Sequence, residues 1–408
     1  MRQRSVMRVG ATLMVASLAL TACGSRNSGG SSGGGSSNKV AKIGVIAPLS
    51  GNLSALGLGI QNSVKLAIDQ ANKNNTIPGW TLELDAKDDE AKPDTGKNAA
   101  TALASDKEVI GVVGTLNSSV SQSVQPVLAS AKIVQVSPAN TNPSLTQGAN
   151  WQTSPARTYP TYFRTCTTDA VQGPFAARYL FEKVGIKSVA TVHDKKAYGQ
   201  GLVGTFSDEF KRLGGTITSA QTINPDESNY QAVISKVKPS NPQAIYYGGE
   251  YPNAGPLSQQ MKAAGLNVPL MGGDGIYDPK YISLGGKTSE GDLATSVGAP
   301  VETLESAKKF ISDYNAAGFK DPYAAYGGYS YDAATAIIDA LKVSLKDAKD
   351  AESARQATID ALGKVSFDGV TGKVGFDQYG DSTAKVLTVY KVQGGKWVAV
   401  NTEDFAKK

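Results

Sequence analysis

Val109-Ile-Gly-Val-Val-Gly114, then Thr115-Leu-Asn-Ser118, a helical period over 118–131, and Ile133-Val-Gln-Val-Ser137 together decide the fold. Six residues without a polar side chain read as a strand buried on both faces. Such a strand must be covered by helices above and below, which points to a parallel sheet. The rhythm extends in both directions. Upstream lie strands at Ile43-Gly-Val-Ile-Ala-Pro48 and Trp80-Thr-Leu-Glu-Leu-Asp85. Helices are expected between them at 58–74 and after them at 93–104. Ile60, Val64, Ala67, Ile68 and Ala71 mark one face of the first helix, and Pro93 suits the first turn of the second. Downstream the alternation starts again. Helices are expected at 170–183, 198–213, 230–237 and 254–264, with strands at 188–193, 216–223, 244–248 and 268–271. Long helices follow at 304–316 and 330–345, and 385–392 with 397–400 reads as a hairpin around Gln393-Gly-Gly-Lys396. Two such runs predict an α/β protein with two doubly wound parallel-sheet lobes.

Length agrees, because a chain of 408 residues exceeds one compact core. Its start has a different character. Arg2, Arg4 and Arg8 precede an apolar run from Val9 to Leu20, which is too short to span a bilayer comfortably. This order is that of a secretory signal over 1–22. Leu20-Thr-Ala-Cys23 resembles the lipobox of bacterial lipoproteins, which implies lipidation of Cys23 and cleavage before it. Residues 24–38 are nearly all Gly, Ser and Asn, a composition that cannot bury enough apolar surface to fold. With Cys23 and Lys39 they form an expected tether over 23–39, reaching roughly 20 Å as a flexible coil. The expected location is extracytoplasmic, held at the membrane through lipid on Cys23.

The formal charge of +5 falls to +2 without the three leader arginines, so no nucleic-acid footprint exists. Cys23 and Cys166 are the only cysteines. With Cys23 lipidated, no intramolecular disulfide remains. Cys166, in the strand-like Tyr162-Phe-Arg-Thr-Cys166, reads as a small buried hydrophobe. Enzyme motifs fail. His193 is the only histidine, no Gly-x-Ser-x-Gly elbow occurs, and Tyr281 stands where a phosphate loop ending in Gly286-Lys287-Thr288 needs its first glycine. No Cys/His cluster suits zinc, and Asp88-Asp89-Glu90 reads as a solvated strand end rather than a metal site. No catalytic residue, cofactor or metal is expected.

In open α/β sheets, ligands bind beyond the carboxyl ends of the strands. Those ends here are small, polar and Gly-rich: Gly114–Ser119, Ser137–Thr141, His193–Tyr198, Gly248-Gly-Glu250-Tyr251 and Gly272-Gly-Asp274-Gly275. Ser137-Pro-Ala-Asn-Thr-Asn-Pro-Ser-Leu-Thr146, His193-Asp-Lys-Lys-Ala-Tyr-Gly-Gln-Gly201 and Ala244-Ile-Tyr-Tyr-Gly-Gly249 resemble segments of the branched-chain amino-acid-binding proteins. These are type I periplasmic binding proteins of ABC importers. The resemblance runs from about Lys42 to the C-terminus. It implies a type I periplasmic-binding-protein fold with three crossovers between lobes, an N-terminal lobe over 40–163 and 300–385, and a C-terminal lobe over 164–299 and 386–408. It further implies a monomer that captures an aliphatic amino acid and hands it to permease subunits.

Carried over by residue, Ser118 meets the ligand carboxylate at a helix start, where free N–H groups favour an anion. Ala139 and Thr141, with Asn140 between them, hold the α-amino and α-carboxyl groups. Asp274 stands where the family has a Glu that pairs with the ammonium, and Tyr198 closes from the second lobe. Three departures stand out. Asp274 is one methylene shorter than Glu, Glu250 replaces a Tyr at the cleft lip, and Leu56 replaces an aromatic of the side-chain pocket. Glu250 therefore brings a charge near the ligand and leaves room for a more polar amino acid; the resemblance to this fold also admits an amide, urea or aromatic acid as ligand, and a sensory role is a separate alternative.

Overall fold

The computed structural model describes residues 39–405. The 1–22 leader, Cys23 and the tether up to Asn38 lie outside the described residues. The first sheet holds β1 (Lys39–Ala47), β2 (Trp80–Asp88), β3 (Val109–Gly114), β4 (Val134–Ser137) and β5 (Tyr162–Arg164). All neighbours run parallel in the order β2-β1-β3-β4-β5. All six residues of the central β3 are buried.

Alternation along the strand sends its side chains to two different cores. Val112 packs with Ala99 and Leu103 of α2 (Pro93–Ser105) and with Val120, Val124 and Leu128 of α3 (Ser118–Ser130). Val113 belongs to the larger core on the other face, with Ile60 and Val64 of α1 (Ser54–Lys73) and Ile337 and Leu341 of the helix Gly327–Ser344. α1 approaches the end of β1 so closely that a Cβ on Gly57 would fall 2.0 Å from the Pro48 carbonyl oxygen. Only glycine fits there, and that contact seats Leu56 at the top of the sheet.

The second sheet contains β6 (Ser188–His193), β7 (Thr216–Thr222), β8 (Ala244–Gly248), β9 (Leu270–Gly272) and β10 (Leu293–Val297). After a small hairpin of β11 (Ser366–Gly369) and β12 (Gly372–Gly375), the sheet is completed by β13 (Val386–Gln393) and β14 (Lys396–Asp404). Its order is β14-β13-β10-β9-β8-β6-β7. It is parallel from β7 to β10 and antiparallel at β13 and β14, so this lobe is mixed at one edge rather than wholly parallel. The chain passes between the sheets three times: after Arg164, after Val297 and before Val386.

Several elements escape the hydrophobic pattern. β10 is Leu-Ala-Thr-Ser-Val, and its polar Thr295 and Ser296 are buried. Tertiary hydrogen bonds satisfy such groups: Thr295 Oγ1 donates to Gln172 Oε1 at 2.7 Å. The helix Ala351–Leu362 was not expected, although its buried Ala351, Ala354, Ile359 and Leu362 recur at helical spacing, and each strand of the β11–β12 hairpin has only one large apolar residue, Phe367 or Val374. The helix expected from 304 begins only at Lys308, after 3₁₀ turns. The acidic run after β2 is corrected as well. Asp89 is fully buried rather than solvated, and burial pushes its carboxyl up to about 7.

Cys166 is buried, and its thiol donates to the Asn140 carbonyl at 3.4 Å. Burial raises its pKa far above the ordinary thiol value, so it is neutral and unreactive. Among the described residues, no helix is long and apolar enough to cross a membrane, and no group of three potential ligands is placed to hold a metal.

Candidate functional site

Six sequence-predicted residues meet in one cavity between the two sheets: Leu56, Ser118, Ala139, Tyr198, Glu250 and Asp274. Leu116, Asn117, Gly275 and Tyr326 complete its wall. The position of each side chain follows from its local element. Leu56 sits in the first turns of α1. Ser118 opens α3, whose start carries the positive end of the helix dipole; the N–H groups of Val120 and Ser121 donate to the Asn117 carbonyl at 3.1 Å, which leaves those of Ser118 and Ser119 as the ones without an intrahelical acceptor. Ala139 lies in the turn after β4, where the Ser137 hydroxyl accepts from the backbone N–H groups of Ala139 and Asn140 at 3.2 and 2.9 Å. Tyr198 is in the first turn of the helix Ala197–Arg212, and Asp274 starts a 3₁₀ turn directly after β9.

Asp274 is the best-held group. Its Oδ1 accepts from Tyr198 OH at 2.7 Å and Gln172 Nε2 at 2.9 Å, and its Oδ2 accepts from Tyr326 OH at 2.8 Å. Its backbone N–H donates to Gln172 Oε1 at 3.0 Å. Burial raises the carboxyl pKa, against the pull of these donors. A carboxylate offers about four acceptor positions, so one remains open after three donors. No lysine or arginine of the described residues forms an ion pair with Asp274 within 4.0 Å.

Glu250 has spent its charge. Its Oε1 accepts from Asn117 Nδ2 at 2.7 Å, and its Oε2 accepts from Lys196 Nζ at 3.0 Å. Burial works to raise its pKa, but the Lys196 charge and the hydrogen bonds outweigh it and the carboxyl stays low. Neighbouring Asp194 takes the opposite course: burial and the Glu250 charge push it up to about 8. The expected free charge at the cleft lip is therefore an internal ion pair.

Asn140 and Thr141 are not in the wall. The Asn140 amide donates to the Leu116 carbonyl at 2.8 Å and its oxygen accepts from Tyr162 OH at 3.1 Å, so that side chain is committed to the scaffold. The Thr141 hydroxyl is buried without a partner in hydrogen-bonding geometry. Asn117 and Lys196 sit inside segments that the sequence already marked. Gln172 and Tyr326 had no signal, because they are brought in from separate helices.

Besides the Tyr329 hydroxyl, which donates to the Val297 carbonyl near the crossovers, four side-chain bonds join the lobes around the cavity. They join Asn117 to Glu250, Tyr326 to Asp274, Asn142 Nδ2 to the Ala197 carbonyl at 2.6 Å, and Tyr251 OH to the Asn52 carbonyl. The cavity they enclose is only about 20 Å³, close to the space of one water. A groove of about 890 Å³ runs beside it, with Tyr277, Tyr323, Tyr329, Tyr390 and Trp397 in its wall. Ala55 and Ala325 line the groove while their neighbours Leu56 and Tyr326 line the cavity.

The comparisons with known proteins agree with this fold. The family model described as periplasmic binding protein matches residues 40–396. The Leu/Ile/Val-binding protein homolog 1 of Brucella melitensis is 31% identical over 362 residues, covering 89% of this chain and 93% of that protein. The Leu/Ile/Val-binding protein BraC3 of Rhizobium johnstonii is 30% identical over 357 residues, covering 88% and 93%. Among solved structures, the leucine-binding protein LivK of Thermotoga maritima superposes with a TM-score of 0.80 at 27% identity, covering 90% of this chain and all of that one. The branched-chain amino acid transporter substrate-binding protein LivJ of Streptococcus pneumoniae, in complex with isoleucine, gives 0.78 at 26% identity over 90% and 100%.

Proposed function

The chain belongs to the periplasmic binding proteins, among relatives named for leucine, isoleucine and valine, and from that premise we propose that it captures a branched-chain amino acid between its lobes for an ABC importer. The observation that carries this reading is the pairing of opposite tendencies in one cavity. The α3 N-terminus and the Ser118 hydroxyl suit an α-carboxylate. Asp274, with one acceptor position open and no ion-pair partner within reach, suits an ammonium. An amide, urea or aromatic acid would leave that carboxylate unpaired, which is costly in a buried site. Leu56 and Leu116 supply apolar contact for an aliphatic side chain, and the neutralised Glu250 no longer calls for a second cationic group.

The enclosed volume is too small for an amino acid, so entry requires the lobes to part. Ligand contacts from both lobes then add to the four crossing bonds and favour closure. Calorimetric titration with L-leucine, L-isoleucine, L-valine, L-glutamate, L-lysine and benzoate tests the reading. Saturable binding of the aliphatic three, much tighter than the rest, is expected; no binding of any aliphatic amino acid overturns it.

The anchored form belongs to the same proposal. The leader, Cys23 and the Gly/Ser-rich segment place the binding body on a short leash, and a cargo that must reach membrane-embedded permease subunits benefits from staying within tens of ångströms of them. Cys23→Ser is expected to move the protein from the membrane fraction to the soluble extracytoplasmic fraction. Unchanged membrane retention, measured by fractionation and blotting, removes the lipid from the account.

A further inference from the structure

Asp169 is fully buried at the first position of the helix Asp169–Arg178. Its backbone N–H donates to the Thr141 carbonyl at 2.8 Å. Its Oδ1 accepts from Gln172 Nε2 at 3.1 Å, and the same Nε2 donates to Asp274 Oδ1 at 2.9 Å. One amide nitrogen thus joins two buried carboxyl groups. Asp169 Oδ2 is buried with no hydrogen-bond partner. The Thr141 hydroxyl faces Asp169 closely enough to favour its ionised form, without forming a well-aligned bond.

The titratable groups around this pair are Arg164, Cys166, Tyr198, Tyr246, Tyr326 and Tyr329. Burial raises the pKa of the thiol and of all four phenols, so they are neutral. Arg164 is the one cation of the set, and it is committed elsewhere. Its Nε donates to Asp381 at 2.7 Å and its other nitrogens donate to the Asn140 and Asn142 carbonyls and to Thr146. Two like charges joined by one amide, with no cation of their own, cannot both stay ionised at low cost.

We propose that Asp169 is a further residue of the ligand site, one that holds a proton until the ammonium of an amino acid docks on Asp274 and then releases it to solvent. This rests on the amino-acid reading above. Burial, and after it the Asp274 charge, push the Asp169 carboxyl up to about 8. A cation on Asp274 cancels the second cause and offsets the first. In the release step the O–H bond of Asp169 breaks, its electron pair stays on the carboxylate, and the proton passes to buffer; the ammonium is unchanged. The other carboxyl pair, Asp194 with Glu250, already has Lys196 and needs no cation from the ligand.

The test is calorimetric titration of L-leucine into the full chain at pH 7, in buffers of different ionisation enthalpy. The observed heat is expected to vary with buffer as for release of up to about 0.9 proton, the fraction bound by a group titrating near 8. Affinity is expected to rise with pH between about 6 and 7.5, by at most about tenfold per unit. Asp169→Asn keeps the shape and the Gln172 contact, and is expected to bind leucine with near-zero proton release. Equal heats in all buffers overturn the proposal, as does an Asp169→Asn protein that releases as many protons as the parent. Absence of any binding of leucine, isoleucine or valine overturns the amino-acid reading itself.

Discussion

Asp274→Asn is expected to weaken binding of a branched-chain amino acid at least a hundredfold, while the ligand-free protein melts at the same or a higher temperature. The first half follows from the proposed role of the carboxylate: of the two carboxyl groups that line the cavity, Glu250 is paired with Lys196, and Asp274, with no ion-pair partner within 4.0 Å, is the one left to accept from a ligand ammonium. Removing one partner of a buried, hydrogen-bonded charge pair costs about 2–5 kcal/mol, and a hundredfold is about 2.7 kcal/mol. The second half follows from the sign of the pKa shift. Burial raises the Asp274 pKa above its ordinary value, so the ionised form is less favoured in the folded chain than in the unfolded one, and the penalty grows as pH rises above the ordinary value. A neutral amide removes that penalty. It can still accept from Gln172 and Tyr198 through its oxygen, and the Tyr326 hydroxyl can turn to accept from the new NH₂. Titration calorimetry and thermal melts read the two halves separately. Near-parental affinity would take Asp274 out of the site; lost affinity together with a large drop in melting temperature would assign it to the scaffold instead.

Arg164→Met is expected to lower unfolding stability by about 3–5 kcal/mol, the cost of breaking a buried ion pair from one side. Arg164 is fully buried at the end of β5. Its guanidinium holds Asp381, which lies shortly before the chain enters β13, and the loop that carries Ala139. Methionine fills much of the volume but leaves Asp381 with only Gln147 Nε2, at 2.8 Å, on its other oxygen. It also strips donors from the Asn140 and Asn142 carbonyls. Since whole domains are stable by about 5–15 kcal/mol, this is a large share. Urea denaturation measures it. A loss under 1 kcal/mol would show that the network relaxes or fills with water. The double variant Arg164→Met, Asp381→Leu is expected to recover part of the loss, because it no longer buries an unpaired carboxylate.

The sequence located most of the residues that line the inter-lobe cavity, for a simple reason. Ser118, Ala139, Tyr198, Glu250 and Asp274 all follow the carboxyl ends of strands, and the strand pattern is written in consecutive apolar residues. Asn140 and Thr141 sit in the same turn as Ala139, yet a turn reverses side-chain direction from one residue to the next, and only atomic positions show which of them reach the cavity. Glu250 is the sharper lesson. Its charge was legible, but whether it faces a ligand or Lys196 depends on the path of the loop after β6. β10 was missed because two of its five residues, Thr295 and Ser296, are polar yet buried, and the Thr295 hydroxyl is satisfied by Gln172, far away in the chain, which no local pattern announces.

By itself the sequence determined the class of the molecule. Periodicity of apolar residues acts over a few turns or strands, so it dictates alternating strands and helices, two lobes and the strand ends where a ligand can bind. The expected leader over 1–22 and the Gly/Ser-rich segment after it are read from residue order and composition, which need no tertiary contact. Only the tertiary structure decided the electrostatics of the site. Desolvation depends on every atom packed around a group, and an ion pair depends on distances of a few ångströms between residues that lie far apart in the chain. Gln172 joining Asp169 to Asp274, Tyr326 reaching across from the other lobe, and Lys196 cancelling Glu250 are all products of packing, and they determine which charge in the cavity is left for a ligand to meet.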